Sequence, residues 1–220
     1  MTTSSDGPAP THGSDGEADR AAARLPAEPD YLALRGRMAP EVPTRLLAHI
    51  ARVVALTERL ARRHGADLAP ALRAAQTHDL LRALPEAELL ARAEARGLEV
   101  LPIERAHPVL LHGPLGALEL AERFRLRDPI VLDAVRYHTT GHPSFGPEAW
   151  AMFVADKAEP KKVEAWPALL QVLDLASGSL EAAALAYLDL SAERARIEGW
   201  PLHPLAEQTR AALLHRLATS

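Results

Sequence analysis

The 220-residue chain contains no cysteine, which excludes disulfide bonds, thiolate zinc sites, iron–sulfur clusters and a cysteine nucleophile. Any bound metal must therefore be held by imidazole and carboxylate groups. Aromatic residues make up only 4% of the chain, so aliphatic side chains must fill its core. Basic residues are not in excess, because 25 Lys and Arg stand against 29 Asp and Glu, a net charge of −4. This balance argues against general nucleic-acid binding.

Long apolar runs are also missing. No run approaches the roughly 18 residues of a membrane span, and the polar N-terminus has no apolar signal-peptide segment. We therefore expect a cytoplasmic protein that does not bind membranes. The first 35 residues are rich in Ser, Thr, Asp, Gly and Pro, and their six acidic residues outnumber three Arg. We expect residues 1–35 to be a disordered acidic tail and residues 36–220 to form one folded domain.

Apolar residues make up 48% of the chain, and from Thr44 onward their spacing is helical. Gly65 is a typical helix stop, Pro85 a helix start, and Asp128-Pro129 a cap followed by a first helical residue. No strand pattern interrupts this series. We predict an all-α domain of about eight to ten helices, at approximately 44–64, 68–83, 85–97, 106–111, 114–124, 128–138, 147–159, 164–175, 180–198 and 204–217.

These predicted helices direct several metal-ligand side chains towards the core. They are His49, His78, Asp79, His112, His138 and Asp156. Each one alone has a structural explanation, such as a buried neutral imidazole with one hydrogen bond. A core that carries six such groups without a shared purpose is improbable, because buried charge is costly unless something neutralises it. Imidazole and carboxylate together suit first-row metals such as iron, manganese or cobalt.

The order of these six residues resembles that of the HD-domain metal-dependent phosphohydrolases. A His-Asp doublet such as His78-Asp79 is typical of that superfamily. More narrowly, the chain resembles the symmetrical bis(5′-nucleosyl)-tetraphosphatases of the YqeK family. The matching strings are THDLLR, LLHGPLGA, AVRYHTTGHPSF, ADKAEP and EGWPLHPL. The resemblance extends from Pro43 to the C-terminus.

The resemblance implies an HD-domain helical bundle over residues 36–220 with a buried di-metal site that holds two divalent ions, usually iron. It implies that Asp79 bridges the two ions and that the His78-Asp79 doublet is catalytic. The first ion would be held by His49, His78 and Asp156, and the second by His112 and His138. The implied reaction is attack by a metal-bound hydroxide on a dinucleoside tetraphosphate, which converts diadenosine tetraphosphate and water into two ADP.

Three residues are expected to contact the substrate. Arg82 stands where the family usually has Lys, and its guanidinium can still bind phosphate. Thr139 follows His138 and can donate to a phosphate oxygen. Lys162 belongs to a cluster with Lys157 and Lys161, the three lysines of the chain. This cluster is either a clamp for the polyphosphate or a solvated patch at a helix end, and Lys157 itself replaces a residue that is often Tyr.

Two other functions fit the same residues. One is hydrolysis of another nucleotide by an HD-type phosphohydrolase, such as a nucleotidase. The other is a binding module that holds metal and nucleotide with little turnover. Under each of these hypotheses we expect the protein to bind a nucleotide, and we expect no nucleic-acid partner and no membrane partner.

Overall fold

The computed structural model describes Met1 and residues 29–219, and this part of the chain is helical without a β-strand. The prediction of an all-α domain is confirmed, although the described part holds twelve α-helices rather than eight to ten. They are α1 (Tyr31–Met38), α2 (Thr44–His64), α3 (Leu68–Thr77), α4 (Glu86–Ala95), α5 (Pro102–Ala106), α6 (His112–Glu122), α7 (Pro129–Tyr137), α8 (Pro147–Ala158), α9 (Pro160–Ala165), α10 (Leu170–Ala176), α11 (Leu180–Glu198) and α12 (Pro204–Ala218).

Helix α8 lies at the centre of the fold. Ten of its twelve residues are buried, and it packs against α2, α3, α7, α10 and α11. Because Met152, Phe153 and Val154 are fully buried, the neighbouring Asp156 is also carried into the core. A carboxylate at this position is costly unless a positive charge or a metal compensates it.

The long helix α2 follows its sequence pattern closely. Its buried side chains include Ile50, Val53 and Leu60, which form one apolar stripe against α3 and α8. The helix ends at Gly65, whose φ of 65° is a left-handed conformation that costs glycine little. His49 lies beside this stripe at the edge of the core.

The second predicted helix is shorter than its pattern indicated, because α3 ends at Thr77 instead of near residue 83. The hydroxyl of Thr77 donates to the carbonyl of Arg73 at 2.7 Å, and His78 Nδ1 donates to the carbonyl of Ala75 at 2.9 Å. The His78 side chain thus satisfies the Ala75 carbonyl, which the backbone N–H of Asp79 would use in a longer helix. The chain continues in turns, and the His78-Asp79 doublet therefore lies at a helix end rather than inside a helix.

The junction between the predicted helices 106–111 and 114–124 lies at His112, since a 3-10 turn ends at Leu111 and α6 begins at His112 and runs through Gly113 and Pro114. Pro114 lies in the first turn, where backbone N–H groups have no intrahelical acceptor, so its missing N–H costs nothing. Gly113 allows α6 to approach α7 closely. A Cβ atom on Gly113 would lie 2.8 Å from the carbonyl oxygen of Arg136 and 3.3 Å from His138 Nδ1.

Part of the predicted tail belongs to the fold. Asp30 accepts a hydrogen bond from Ala33 N as the cap of α1, and Leu34 and Met38 are fully buried. The boundary that composition placed after residue 35 therefore falls inside α1. The rest of the predicted tail, residues 2–28, lies outside the described residues.

The other departures are local. A short helix, α5, occupies part of the segment 98–105 that showed no pattern, and residues 164–175 are divided between α9, a 3-10 turn at Pro167–Leu169, and α10. None of the helices in the described part combines the length and apolar character needed to cross a bilayer.

Candidate metal centre

The fold brings the six sequence-predicted metal ligands into one cluster. His49 comes from α2, the doublet follows α3, His112 begins α6, His138 follows α7, and Asp156 lies in α8. Five of the six are buried, and the His49 side chain is only 13% exposed. Side chains separated by more than 100 residues therefore converge on one small volume.

Asp79 lies at the middle of this cluster. Its Oδ1 atom is 3.1 Å from His112 Nε2 and 3.5 Å from His138 Nε2. Its Oδ2 atom is 3.7 Å from His49 Nε2 and 3.6 Å from His78 Nε2. One carboxylate thus directs its two oxygens at two separate pairs of imidazoles. The ligand atoms of each pair lie close enough, together with Asp79, to hold one metal ion.

Asp156 completes the side of the cluster that contains His49 and His78. Its Oδ1 atom is 3.2 Å from His49 Nε2 and 3.6 Å from His78 Nε2. Both oxygens also accept from ammonium groups, Oδ1 from Lys162 Nζ and Oδ2 from Lys157 Nζ, each at 2.7 Å. The two lysines supply positive charge to a carboxylate that would otherwise be buried alone.

Backbone carbonyls fix the tautomers of three histidines. His78 Nδ1 lies 2.9 Å from Ala75 O, His138 Nδ1 lies 2.7 Å from Val135 O, and His112 Nδ1 contacts Val109 O. A carbonyl oxygen only accepts, so each Nδ1 must carry a proton, and each Nε2 has a lone pair when the imidazole is neutral. All three histidines follow a helical segment, where the carbonyls of the last turn are free to accept.

The fourth histidine is held by a side chain that the sequence analysis did not single out. His49 Nδ1 lies 3.2 Å from Glu159 Oε1, and Glu159 in turn accepts from Arg52 Nε at 2.5 Å and Arg52 Nη2 at 3.0 Å. The Glu159 side chain is 2% exposed. A carboxylate that orients a metal-binding imidazole in this way is a common support of metal sites. The ADKAEP string contains Glu159 three residues after Asp156, but nothing in the string reveals its contact with α2.

The cluster fits a divalent metal by its own geometry. His112 Nε2 and His138 Nε2 are 2.8 Å apart, and both present lone pairs when the imidazoles are neutral. His78 Nε2 is buried and has no hydrogen-bond partner among the described residues. A cation between these nitrogens and the carboxylates relieves the repulsion and supplies the missing partner.

The electrostatics give three of the six residues the protonation state that a metal requires. Burial acts to raise the pKa of Asp79, but the charge of His78 and hydrogen bonds from His112 and His138 outweigh it and hold that pKa well below its usual range. Burial likewise opposes ionisation of Asp156, and the ammonium groups of Lys157 and Lys162 hold its pKa well below the usual range. Burial lowers the pKa of His138 to about 4. Metal ligands must be deprotonated, and these three are deprotonated near neutral pH.

A basic cavity of about 520 Å³ opens beside the cluster and includes His49 and Asp79 in its wall. Its five basic side chains come from α2, the turn after α3, and α9. They are Arg45, Arg52, Arg82, Lys161 and Lys162. Two of the three predicted substrate residues, Arg82 and Lys162, therefore line one cavity next to the candidate metal ligands.

Thr139 and Lys157 take other positions. Thr139 lines a different cavity, which lies between α11 and the segment that precedes α12. Lys157 is 7% exposed, and its ammonium lies 5.2 Å from the ring centre of Phe153 and 5.6 Å from that of Tyr187. Its charge is directed at Asp156, so Lys157 is a buried counter-ion rather than a solvated surface lysine.

Comparison with known proteins places this cluster in a family. The profile of the HD domain matches residues 46–161, more than half of the chain and the whole span from His49 to Asp156. The chain belongs to the HD domain family. The HD-domain resemblance deduced from the His-Asp doublet is thus confirmed.

Two bacterial relatives support the narrower resemblance. The chain is 33% identical over 137 residues to the Bacillus subtilis protein named bis(5′-nucleosyl)-tetraphosphatase, symmetrical, an alignment that covers 61% of this chain and 71% of that protein. It is 34% identical over 105 residues to a protein of the same name from Halalkalibacterium halodurans, covering 47% of this chain and 54% of the relative. The HD-domain chain is therefore a hydrolase by class.

The fold has a close counterpart among solved structures. A crystal structure from Clostridium acetobutylicum, described as a predicted HD superfamily hydrolase involved in NAD metabolism, superimposes with a TM-score of 0.77. The match covers 86% of this chain and 99% of the other, at 24% sequence identity. At that identity the likeness establishes the shared fold.

Proposed function

We propose that this chain is a metal-dependent phosphohydrolase that cleaves dinucleoside tetraphosphates symmetrically, so that diadenosine tetraphosphate and water give two ADP. The observation that carries the proposal is the position of Asp79. Its two oxygens face two pairs of histidines at the inner wall of a cavity that holds five basic side chains. The names of the two bacterial relatives add support for this substrate class.

In the proposed site two divalent ions would be held. His49, His78 and Asp156 would hold the first ion, His112 and His138 would hold the second, and Asp79 would be shared by both. When bound, the ions lower the pKa of a water molecule and offset negative charge on the phosphoryl group under attack. Nitrogen and carboxylate ligands suit first-row metals such as iron, manganese or cobalt, and the family resemblance favours iron.

The protein's own contribution is to hold the ligands and the substrate in place. The Nδ1 contacts leave little freedom to the imidazole rings, so the Nε2 atoms are preorganised. Arg82 and Lys162 line the basic cavity beside Asp79 and are proposed to bind phosphate oxygens. A tetraphosphate bridge carries about four negative charges, which a local group of cations can hold although the chain is acidic overall.

Lys162 has a second role in this proposal. Its ammonium donates to Asp156 Oδ1 at 2.7 Å. With its side chain 39% exposed and flexible, it can turn from the carboxylate to a phosphate oxygen. Thr139 is proposed to donate to the substrate from the other cavity, whose wall it lines.

The test is product analysis with defined metal content. Protein stripped by chelation and reloaded with iron(II) or manganese(II) is expected to convert diadenosine tetraphosphate into ADP alone. In oxygen-18 water, one of the two ADP molecules from each substrate should carry one labelled oxygen. Stripped protein is expected to be inactive until metal returns. ATP and AMP as products would exclude symmetric cleavage. Metal-replete protein that turns over none of a panel of dinucleoside polyphosphates would be a binding module instead.

A further inference from the structure

A second cavity, of about 490 Å³, lies between α11, the turn after His138, and residues 200–203. Its size is within the usual range for small-molecule sites. Its wall is mainly apolar and aromatic, with Trp166, Tyr187 and Trp200, while Thr139, Ser191 and Arg194 add polar groups. Such a wall suits a flat aromatic ligand with a few hydrogen-bonding atoms.

Trp200 is the most unusual part of this wall. Its side chain is 57% exposed, although a tryptophan normally buries much of its surface. The nearest ring is that of His107, with centroids 6.5 Å apart and planes tilted by 44°, so the indole has no parallel stacking partner within the described residues. An exposed and unstacked indole is a suitable surface for a nucleobase.

The backbone holds this indole in a fixed place. Gly199 ends α11 in a left-handed conformation with a φ of 74°, and Trp200 N donates to Ala195 O at 2.9 Å. His203 Nδ1 then accepts from Leu205 N at 3.1 Å, and its Nε2 lies 3.6 Å from Glu104. The EGWPLHPL segment, to which the metal centre gives no role, therefore forms an anchored wall of the cavity.

The aromatic cavity shares wall residues with the cavities beside the candidate metal centre. Thr139 in its wall directly follows His138. Trp166, Tyr187 and Arg194 also line a smaller cavity of about 290 Å³, whose lining includes Lys157 and Lys162. Lys162 in turn lines the basic cavity that includes Asp79. Each of the three cavities therefore has wall residues in common with the next.

We infer that the aromatic cavity binds one nucleobase of the substrate, with the base stacked on Trp200. This inference rests on the proposed function. Symmetric cleavage breaks the bond at the midpoint of the tetraphosphate, so each half of the substrate must extend to a different side of the metal centre. The basic cavity suits phosphates, whereas the aromatic cavity offers the stacking surface that a base requires.

The test compares Trp200→Ala with Trp200→Phe, and with Ile197→Ala as a control at a 70% exposed apolar residue that does not line the cavity. Metal-loaded enzymes are assayed with diadenosine tetraphosphate, and inhibition constants are measured for ADP and for inorganic pyrophosphate, which has no base. Loss of one stacked base is expected to raise KM and the inhibition constant of ADP about tenfold in Trp200→Ala. The pyrophosphate constant, kcat and metal content should stay within about twofold. Trp200→Phe should retain most of the binding.

Two results would overturn the inference: unchanged binding of both nucleotides by Trp200→Ala, or an equal loss for pyrophosphate and ADP. If the wild-type enzyme hydrolyses no dinucleoside polyphosphate, the proposed function fails instead. Calorimetric titration of ADP into metal-loaded wild type and Trp200→Ala still tests the cavity in that case. Equal ADP affinities would then reject the stacking site, and a tenfold loss in the variant would support it.

Discussion

The two halves of the metal centre are supported in different ways. The half with His112 and His138 is closed, since both side chains are at most 4% exposed and both Nδ1 atoms bond to backbone carbonyls. The half with His49 is more open. His78 in this half also bonds to a backbone carbonyl, but the remaining support consists of side chains, Glu159 for the His49 imidazole and two lysines for Asp156. A backbone support cannot be removed by substitution, whereas a side-chain support can.

This difference indicates that the two halves have different roles in the candidate site. The closed half is part of the packed junction of α6 and α7, and its geometry depends on the fold. The open half faces the basic cavity, where the substrate is proposed to enter, and its charge balance depends on exchangeable contacts. We therefore expect a substitution in the open half to reduce either the metal affinity or the substrate binding in a graded way, and substitution of the shared residue to abolish both.

The largest effect is expected for Asp79→Ala, because this residue joins the two halves. Both ions should be lost together, and kcat should fall by at least about a thousandfold, since a site without metal has no activated water. Metal content by plasma mass spectrometry and steady-state rates measure these two outcomes. Retention of two metals per chain by the folded variant would show that Asp79 does not bridge.

Single histidine variants should separate the halves. His49→Ala is expected to keep about one ion per chain, and His112→Ala to keep the other one, with activity lost in both. The measurement is metal stoichiometry during titration of the stripped protein with manganese(II). If each variant loses both ions, the two sites are coupled too strongly for the halves to be treated separately.

Weakening the side-chain support of the open half should reduce the metal affinity without abolishing it. Glu159→Gln weakens the acceptor for His49 Nδ1, and such changes behind a metal ligand typically cost about 10- to 100-fold in affinity. We expect a loss of this size for the first ion and little change for the second. Glu164→Gln is the matched control, because Glu164 lies in α9, the helix that Glu159 caps, acts on Arg52 through its charge, and is exposed. Equal metal affinities in the two variants would contradict the role of Glu159.

Lys162→Ala should affect the substrate rather than the metal. We expect kcat/KM to fall about tenfold, or on the order of 1.4 kcal/mol in transition-state binding, with two metals retained. The loss should shrink as ionic strength rises, since added salt screens the exposed ammonium in the wild type. Kinetics at low and moderate salt check this. An unchanged kcat/KM at both salt concentrations would leave phosphate binding to Arg82.

Glu104 provides a reference outside both halves, as a buried carboxylate with protein partners only. Burial opposes its ionisation, but His203 and the Leu101 amide lower its pKa. A lowered pKa in the folded state means that the stabilisation is present above the ordinary pKa of about 4.3 and is lost as the pH falls below it. Glu104→Gln should therefore lower the free energy of unfolding by about 1 kcal/mol at pH 7 and by less near pH 3. The metal content should not change. Chemical denaturation at the two pH values measures this, and a pH-independent difference would contradict it.

The sequence was most informative at helix ends that are set by a capping residue, a proline or a glycine. Asp128-Pro129, Pro147 and Gly65 begin or end helices as predicted, because caps and left-handed glycines act within a few residues. The end of α3 was not predictable in this way. Its Leu, Arg and Ala residues favour a longer helix, and it is the His78 side chain that takes a carbonyl of the last turn.

The candidate site was predictable as a set of residues but not as an arrangement. The six residues could be collected because ligand types rarely recur on apolar helix faces. Glu159 could not be found, since it contacts His49 across 110 residues of chain and only the packing of α2 against α8 reveals the pair. The assignment of each ligand to one of two ions stays a prediction.

The close approach of α6 and α7 in the closed half depends on the lack of a side chain at Gly113. A methyl group on Gly113 would meet two backbone carbonyls, those of Val135 and Arg136, and the ring nitrogen of His138. Rigid backbone cannot turn aside as a flexible side chain does, so even alanine would force α6 and α7 apart and carry His112 away from His138. In a saturation mutagenesis screen for activity, Gly113 should therefore tolerate replacement as poorly as the histidines themselves, although it contributes no chemical group to the reaction.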